Sequence, residues 1–441
     1  MKNTLIAAVF CGLMTIGLAS SGEAAIDAKL IATCDYGLQD RWHQTIWTEQ
    51  PEVIPIDKVY EEQSFWVYLL LSNFETEGSK KASVVFDLKA ISSDGQTQFE
   101  RTDIVAVDYQ VADPSAVLLG QSVLEVSFEK GTPVGTYQLV ADIRDKIGGT
   151  TTQVRTEVEL REFDCRIEFA SDSIFNQWMM NYYKNPSPGN ALDAFKYFSR
   201  RDLFEESYFP CMGFFIEVFS KNQFLIPFLT NEYHYLPFEK RVPVLVLLRY
   251  LDYKSLEFFS GLDEREGRAY QTVQKRELPT TEGEIKTGTA LDLLWGQFWA
   301  SGRYEPLKKI VGALELRVSD VDSVTLKNPT TPEEKRTAQR NQVYKAAKWS
   351  LGATSKSFDL IRNYLAYMVE RENFSASTNE ELTPMFTRKK SNISPLTPEQ
   401  LEMLKKQMTP EQFEMIKNNA VQVKNPNFEE EQTPKSKKTP Q

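Results

Sequence analysis

The segment Leu291–Leu316 (LDLLWGQFWASGRYEPLKKIVGALEL) constrains the fold of this chain more than any other segment. Apolar residues recur at helical spacing on both sides of Gly302, which predicts two antiparallel helices joined at a left-handed glycine. The small residues expected to let these two backbones approach closely are Gly296, Ala300, Gly312 and Ala313. Because a helix pair of this size cannot bury its own apolar face, neighbouring helices must cover it.

The composition is that of a globular, acidic protein. The chain has 441 residues, which predicts two or three domains, with 41% hydrophobic and 25% charged residues. Its formal net charge is −10. Because the phosphate backbone of a nucleic acid repels such a protein, and no basic patch precedes the C-terminal tail, we expect no nucleic-acid partner.

Residues 1–24 have the pattern of a secretory signal peptide. Lys2 precedes the apolar run Leu5–Leu18, and Gly22-Glu23-Ala24 fits the cleavage rule, which places the mature start near Ala25. The run is shorter than the ~20 residues of a membrane-spanning helix. We therefore expect a periplasmic or secreted protein with no transmembrane anchor after signal cleavage.

Export gives the cysteines a possible structural role. The mature chain retains Cys34, Cys165 and Cys211, and two of the three can pair in an oxidising compartment. A Cys34–Cys165 bond would bracket the first domain, and a Cys165–Cys211 bond would join it to the next. The sequence leaves both open, and we favour Cys34–Cys165. Because the chain has no CxxC motif and only two histidines, we predict no metal site.

Residues 25–163 are predicted to form strands. Ser64–Leu71 is apolar on both faces, Val84–Ala90 alternates, and Tyr137–Ile143 with Val154–Leu160 has the pattern of a hairpin. Short strands separated by turns predict an antiparallel β-sandwich.

The segment Thr132–Arg144 (TPVGTYQLVADIR) resembles the Pro-x-Gly-x-Tyr-x-Leu pattern of immunoglobulin-like domains in exported bacterial proteins. The resemblance covers at most a third of the chain. It implies that Tyr137 is a tyrosine corner whose hydroxyl bonds back to the preceding turn. It indicates a fold rather than a function, because such sandwiches carry many roles.

Residues 164–376 are predicted to be an all-α array of helical hairpins. Thr331–Glu334 (TPEE) is a capping box that should start one helix. Residues 261–289 are polar and are expected to form a long exposed loop. Within that loop the acidic residues Asp263, Glu264 and Glu266 are expected to be solvated.

Within this region, Gly302-Arg303-Tyr304-Glu305 followed by Ala313-Leu314-Glu315-Leu316 looks like a tetratricopeptide unit. The resemblance implies an irregular array that binds peptides or proteins on a concave face. The whole chain is thus predicted to be α+β and multidomain, with an Ig-like antiparallel β-sandwich followed by an all-α helical-hairpin array.

Residues 377–441 are predicted to be a tail with two short helices and a disordered end. Leu396–Gln407 and Met408–Asn419 are near-duplicates, each with a Thr-Pro helix start. A weakly helical, solvated tail is one interpretation, and the shortness of both helices favours it. The other is a segment that folds on a partner. Its docking residues would be Leu401, Leu404, Phe413 and Ile416.

The motifs of common catalytic and cofactor sites are missing from this sequence, which has no GxSxG, HExxH, P-loop or GxGxxG. Its two histidines, His43 and His234, lie among aromatic residues and are expected to be packed side chains. The SxxK match Ser127–Lys130 and the acidic segment Ser319–Val324 (SDVDSV) are taken as chance matches. We therefore predict no catalytic residue and no cofactor.

These features favour a non-enzymatic protein-interaction or adaptor/scaffold protein of the cell envelope, whose partner is another envelope protein. The alternative is a glycan-binding protein or a glycan-active enzyme that uses aromatic residues of the helical domain. That alternative requires an exposed groove tryptophan, and the candidates are Trp178, Trp295, Trp299 and Trp349.

Overall fold

The computed structural model describes residues 26–45, 51–164, 166–199, 208–318 and 328–387. It shows an α+β chain in which strands come first, between Asp27 and Arg161, and a helical region follows, between Asp172 and Phe386. Both parts belong to one compact unit that ends at Phe386, and a second unit begins at Thr387. The predicted signal peptide lies outside the described residues, as does the predicted tail beyond 387.

The strands of the described residues form two sheets. They are β1 Asp27–Thr33, β2 Lys58–Tyr60, β3 Phe65–Ser72, β4 Val84–Ser92, β5 Thr97–Val107, β6 Leu118–Leu119, β7 Leu124–Val126, β8 Gly135–Asp145 and β9 Thr151–Arg161. One sheet has the order β1-β3-β6, with β7 also paired to β3, and the other has the order β2-β9-β8-β4-β5. The pairs are antiparallel except for β2 with β9, which is parallel.

Both sheets contribute to one apolar core. Strand β3 is buried along almost its whole length, as its two apolar faces predict. In β4 the buried residues Phe86 and Leu88 lie opposite Ile143 and Ala141 of β8. These side chains and Val67 of β3 belong to the same core cluster, so the alternating pattern faces the core as predicted.

The described residues contain many short α-helices and one long one, and all except α1 belong to the helical region. The α-helices are α1 Leu38–His43, α2 Asp172–Asn181, α3 Ala191–Phe198, α4 Tyr208–Lys221, α5 Leu225–Tyr233, α6 Phe238–Tyr250, α7 Leu256–Ser260, α8 Glu264–Lys275, α9 Gly288–Ser301, α10 Tyr304–Gly312, α11 Pro332–Thr354, α12 Asp359–Arg371 and α13 Ala376–Phe386. Over the described ranges, none of these helices is both long and apolar enough to cross a membrane.

Two local predictions about helix ends are confirmed. Helix α9 ends at Gly302, whose φ of 60° is left-handed, and α10 follows directly. Helix α11 begins at a complete capping box, in which Thr331 and Glu334 each accept a hydrogen bond from the other's backbone N–H.

The packing predicted for Gly296 and Gly312 is wrong. A Cβ atom added to Gly296 of α9 would overlap the carbonyl oxygen of Pro210 in α4. A Cβ atom on Gly213 of α4 would likewise overlap the carbonyl oxygen of Leu293 in α9, whereas one on Gly312 would meet nothing within 4 Å. The close approach therefore joins α9 to α4 rather than to α10.

Helix α8 occupies the segment that was expected to be an exposed loop. It begins with a capping box formed by Asp263 and Glu266. Glu266 is 1% exposed and pairs with Arg241 of α6. The expectation of a solvated acidic cluster is therefore wrong for Glu266, which is a buried structural carboxylate.

Helix α1, which lies inside the predicted strand region, joins the strands to the helices. The buried side chains of Asp35 and Arg41 form an ion pair beside it. The Tyr68 hydroxyl of β3 donates to the Asp35 carbonyl over 2.9 Å, and the Tyr304 N–H of α10 donates to the Asp40 carboxylate over 2.9 Å. Polar contacts from both parts thus meet at one short helix.

Candidate functional site

An exposed tryptophan lies on a groove at the end of the helical region. Trp349 is 77% exposed, although it belongs to α11, whose opposite face contributes Val343, Ala347 and Leu351 to the core. The groove has a volume of about 610 Å³. Its lining includes Lys348, Trp349 and Lys356 from the α11 side and Glu380, Glu381 and Met385 from α13.

A polar network fixes the floor of this groove. One carboxylate oxygen of Glu381 accepts a hydrogen bond from the Tyr344 hydroxyl over 2.6 Å. The same oxygen forms ion pairs with Lys348 at 3.2 Å and Arg317 at 3.3 Å. Burial alone would lower the pKa of Lys348, but its bonds to Glu381 and Tyr344 raise that pKa above its usual value. The ammonium group of Lys348, the residue next to Trp349, is thus bonded to both Tyr344 and Glu381.

The second carboxylate oxygen of Glu381 is buried and has no hydrogen-bond partner among the residues described. Buried carboxylate oxygens are nearly always hydrogen-bonded. The groove therefore combines an exposed indole, a lysine ammonium and, beneath it, a buried carboxylate.

The other candidate tryptophans are placed differently. Trp295 and Trp299 are 6% and 5% exposed and stack on each other with ring centroids 5.7 Å apart. Trp178 is half-buried and lies edge-on against Phe214. Of the four candidates, Trp349 alone has the exposed groove position that glycan stacking requires.

The predicted disulfide is not tested by the structure. Cys34 is a buried free cysteine whose sulfur accepts a hydrogen bond from Gln63 over 3.2 Å. Burial raises the pKa of its thiol to about 12, so this sulfur is a poor nucleophile. Cys165 lies outside the described residues, and the Cys34–Cys165 pair stays a prediction.

The remaining sequence candidates are dispersed. His43 ends α1, and His234 follows α5 with its ring edge-on to Tyr233. The segment Ser127–Lys130 follows strand β7, away from any helix start. Within the described ranges, no group of three or more His, Cys, Asp or Glu side chains is arranged to hold a metal ion.

Two predicted segments cannot be placed, because they lie outside the described residues. One is the acidic segment Ser319–Val324. The other contains the predicted docking residues Leu401, Leu404, Phe413 and Ile416. Their proposed roles remain predictions from the sequence.

Comparison with known proteins adds little. No protein-family model matches the chain, and no curated protein matches it. A Niemann-Pick type C2 protein from Japanese carpenter ant aligns with 32% of this chain and 96% of its own, at 11% identity and a TM-score of 0.17. A family 123 glycoside hydrolase from Clostridium perfringens aligns with 31% of this chain at 9% identity and a TM-score of 0.18, and this chain spans 28% of its length. At these TM-scores neither likeness carries an argument.

Proposed function

We propose that this protein is exported and works, without a reaction of its own, as a protein-interaction or adaptor/scaffold protein of the cell envelope. The N-terminal signal pattern supports export. The exposed Trp349 groove carries the interaction proposal, since large exposed aromatic residues beside apolar and charged neighbours are characteristic of binding hot spots. The partner is another envelope protein that places an apolar side chain against the indole.

Two features support the finer description of the fold. The Tyr137 hydroxyl donates to the Pro133 carbonyl over 2.6 Å, as the immunoglobulin-like resemblance implies for a tyrosine corner. Tyr304, in the turn that resembles a tetratricopeptide unit, is buried beside the left-handed Gly302. We infer an Ig-like β-sandwich joined to an irregular array of helical hairpins.

Crosslinking in the native envelope followed by mass spectrometry tests this function. We expect a specific partner on the wild-type chain and its loss from the Trp349→Ala variant. Leu256→Ala is the matched control, because Leu256 on α7 is 89% exposed and apolar but lies outside the groove. Both substitutions should change stability by less than about 0.5 kcal/mol, since both side chains are exposed. A partner set that is identical in all three chains would overturn the assignment to Trp349.

Glycan binding is the second candidate, and the exposure of Trp349 specifically favours it. An exposed indole offers a flat apolar face to a sugar ring, and the neighbouring exposed Glu380 offers a hydrogen-bond acceptor to its hydroxyl groups. Titration of soluble oligosaccharides against tryptophan fluorescence tests it. Binding should change the emission of the wild-type chain and leave Trp349→Phe unchanged, whereas no response to any oligosaccharide would rule out this candidate.

A further inference from the structure

A second cavity, of about 680 Å³, lies among helices α4, α6, α8 and α9. Its walls are mainly apolar and include Phe209, Val242, Val246, Ala269, Val273 and Leu278. Protein interiors are otherwise close-packed, and this volume falls in the range of small-molecule sites, roughly 300–1,000 Å³. The cavity is therefore larger than a packing defect and has the character of a ligand site.

Two polar groups in this cavity lack partners in the described part of the chain. Tyr208 of α4 is 2% exposed, and its hydroxyl forms no hydrogen bond with any described residue. Asp292 of α9 is half-buried, and burial without a compensating cation raises the pKa of its carboxyl to about 6. A buried hydroxyl and a desolvated carboxylate both gain from a ligand that satisfies them.

The charged residues around the cavity favour a ligand of one charge. The charged side chains lining it are Asp292, Glu277 and Arg276, so negative charge is in excess. Arg276 is exposed and lies close enough to Tyr208 to oppose the effect of burial on the pKa of that hydroxyl. It does not offset the effect of burial on the pKa of Asp292. A cationic group is the natural complement of the uncompensated carboxylate.

We propose that this cavity binds an organic cation, a protonated amine on an apolar or aromatic body. The ammonium group lies against the Asp292 carboxylate, the apolar body packs on the valine and leucine walls, and the Tyr208 hydroxyl provides a further polar contact. This site is separate from the Trp349 groove, and the proposal does not depend on the partner-binding function.

Isothermal titration of the full chain with three probes of the same aromatic body tests the proposal. The probes are phenethylamine, phenethyl alcohol and 3-phenylpropanoate, which differ in the charge of the head group. We expect the amine to bind one per chain and the other two to bind at least tenfold more weakly. Asp292→Asn should weaken amine binding at least tenfold, whereas Glu305→Gln, an exposed carboxylate outside the cavity, should leave it unchanged.

The wild-type chain provides a second test that needs no variant. Because the Asp292 carboxyl has a pKa of about 6, amine affinity should fall about tenfold between pH 7.5 and pH 5.0 as the carboxyl is protonated. The other groups facing the cavity are Tyr208, Arg276 and Glu277, and Glu277 is exposed. Equal binding of amine and alcohol, preferential binding of the carboxylate, or no binding of any probe would overturn the proposal.

Discussion

The absence of a Cβ atom at two glycines allows helices α4 and α9 to pack closely. Gly213 and Gly296 lie where a methyl group on either would overlap backbone oxygen of the opposite helix. Backbone cannot rotate away as a side chain can, so the helices would have to separate. The sequence marks Gly296 as a close-packing residue but cannot say against which helix, because that depends on the tertiary arrangement.

Substitution of Gly296 by alanine should therefore destabilise the protein, whereas the same substitution at Gly312 should not. Gly296→Ala should lose about 3 kcal/mol or more of the free energy of unfolding, since it overpacks a helix interface. Gly312→Ala, which meets nothing within 4 Å and has right-handed φ and ψ angles, should be neutral or gain up to about 1 kcal/mol. Urea denaturation measures both, and a similar loss at the two positions would contradict the packing described.

Asp292 predicts a pH dependence of stability. Its pKa is raised from 3.8 in the unfolded chain to about 6 in the folded one, so the folded state binds the proton more tightly. Stability should fall as the pH rises from about 4 to about 6 and then level off for this group. Asp292→Asn should remove that fall and gain on the order of 1 kcal/mol at pH 7, after allowance for solvent screening. Urea denaturation at each pH measures the free energy of unfolding. The same pH dependence of that free energy in the wild type and the variant would contradict the prediction.

At the scale of helices and strands, the sequence predicts the elements that have a strong apolar periodicity. It does not predict the elements that depend on contacts with distant parts of the chain. Strand β3 and helix α9 follow from their apolar patterns. Helix α8 is polar and was expected to be a loop, although its Asp-x-x-Glu start, Asp263 to Glu266, is the signal that could have revealed it. Helix α1 has six residues, too few for a periodic pattern, and its Asp40 accepts a hydrogen bond from the distant Tyr304.

The ion pair beside α1 should matter more to stability than an exposed one. Arg41→Ala leaves Asp35 buried without its cation and should cost about 3 kcal/mol or more at neutral pH. Arg144→Ala removes an exposed guanidinium from its pairs with Asp87 and Asp103 and should cost much less. Guanidinium denaturation of the two variants measures the difference, and equal costs would contradict the greater contribution of the buried pair.

At the scale of the whole molecule, the sequence predicts the order of strands followed by helices but not how they are joined. The α+β order follows from two different periodicities along the chain. The joint at α1 and the Trp349 groove depend on residues far apart in sequence, such as Asp40 with Tyr304 and Trp349 with Met385. The sequence indicates the exposure of Trp349 only weakly, because this residue interrupts the polar face of a helix. Nothing in the sequence predicts that α13 forms the other wall of the groove.

The central claim is that the Trp349 groove is a recognition surface. A photoreactive amino acid placed at position 356, an exposed groove position beside an intact Trp349, and in a second chain at position 256, tests it in living cells. We predict a discrete covalent adduct with an envelope protein or glycan from position 356 and none from position 256, although both positions are exposed. No adduct from position 356, or the same adducts from both positions, would contradict the claim.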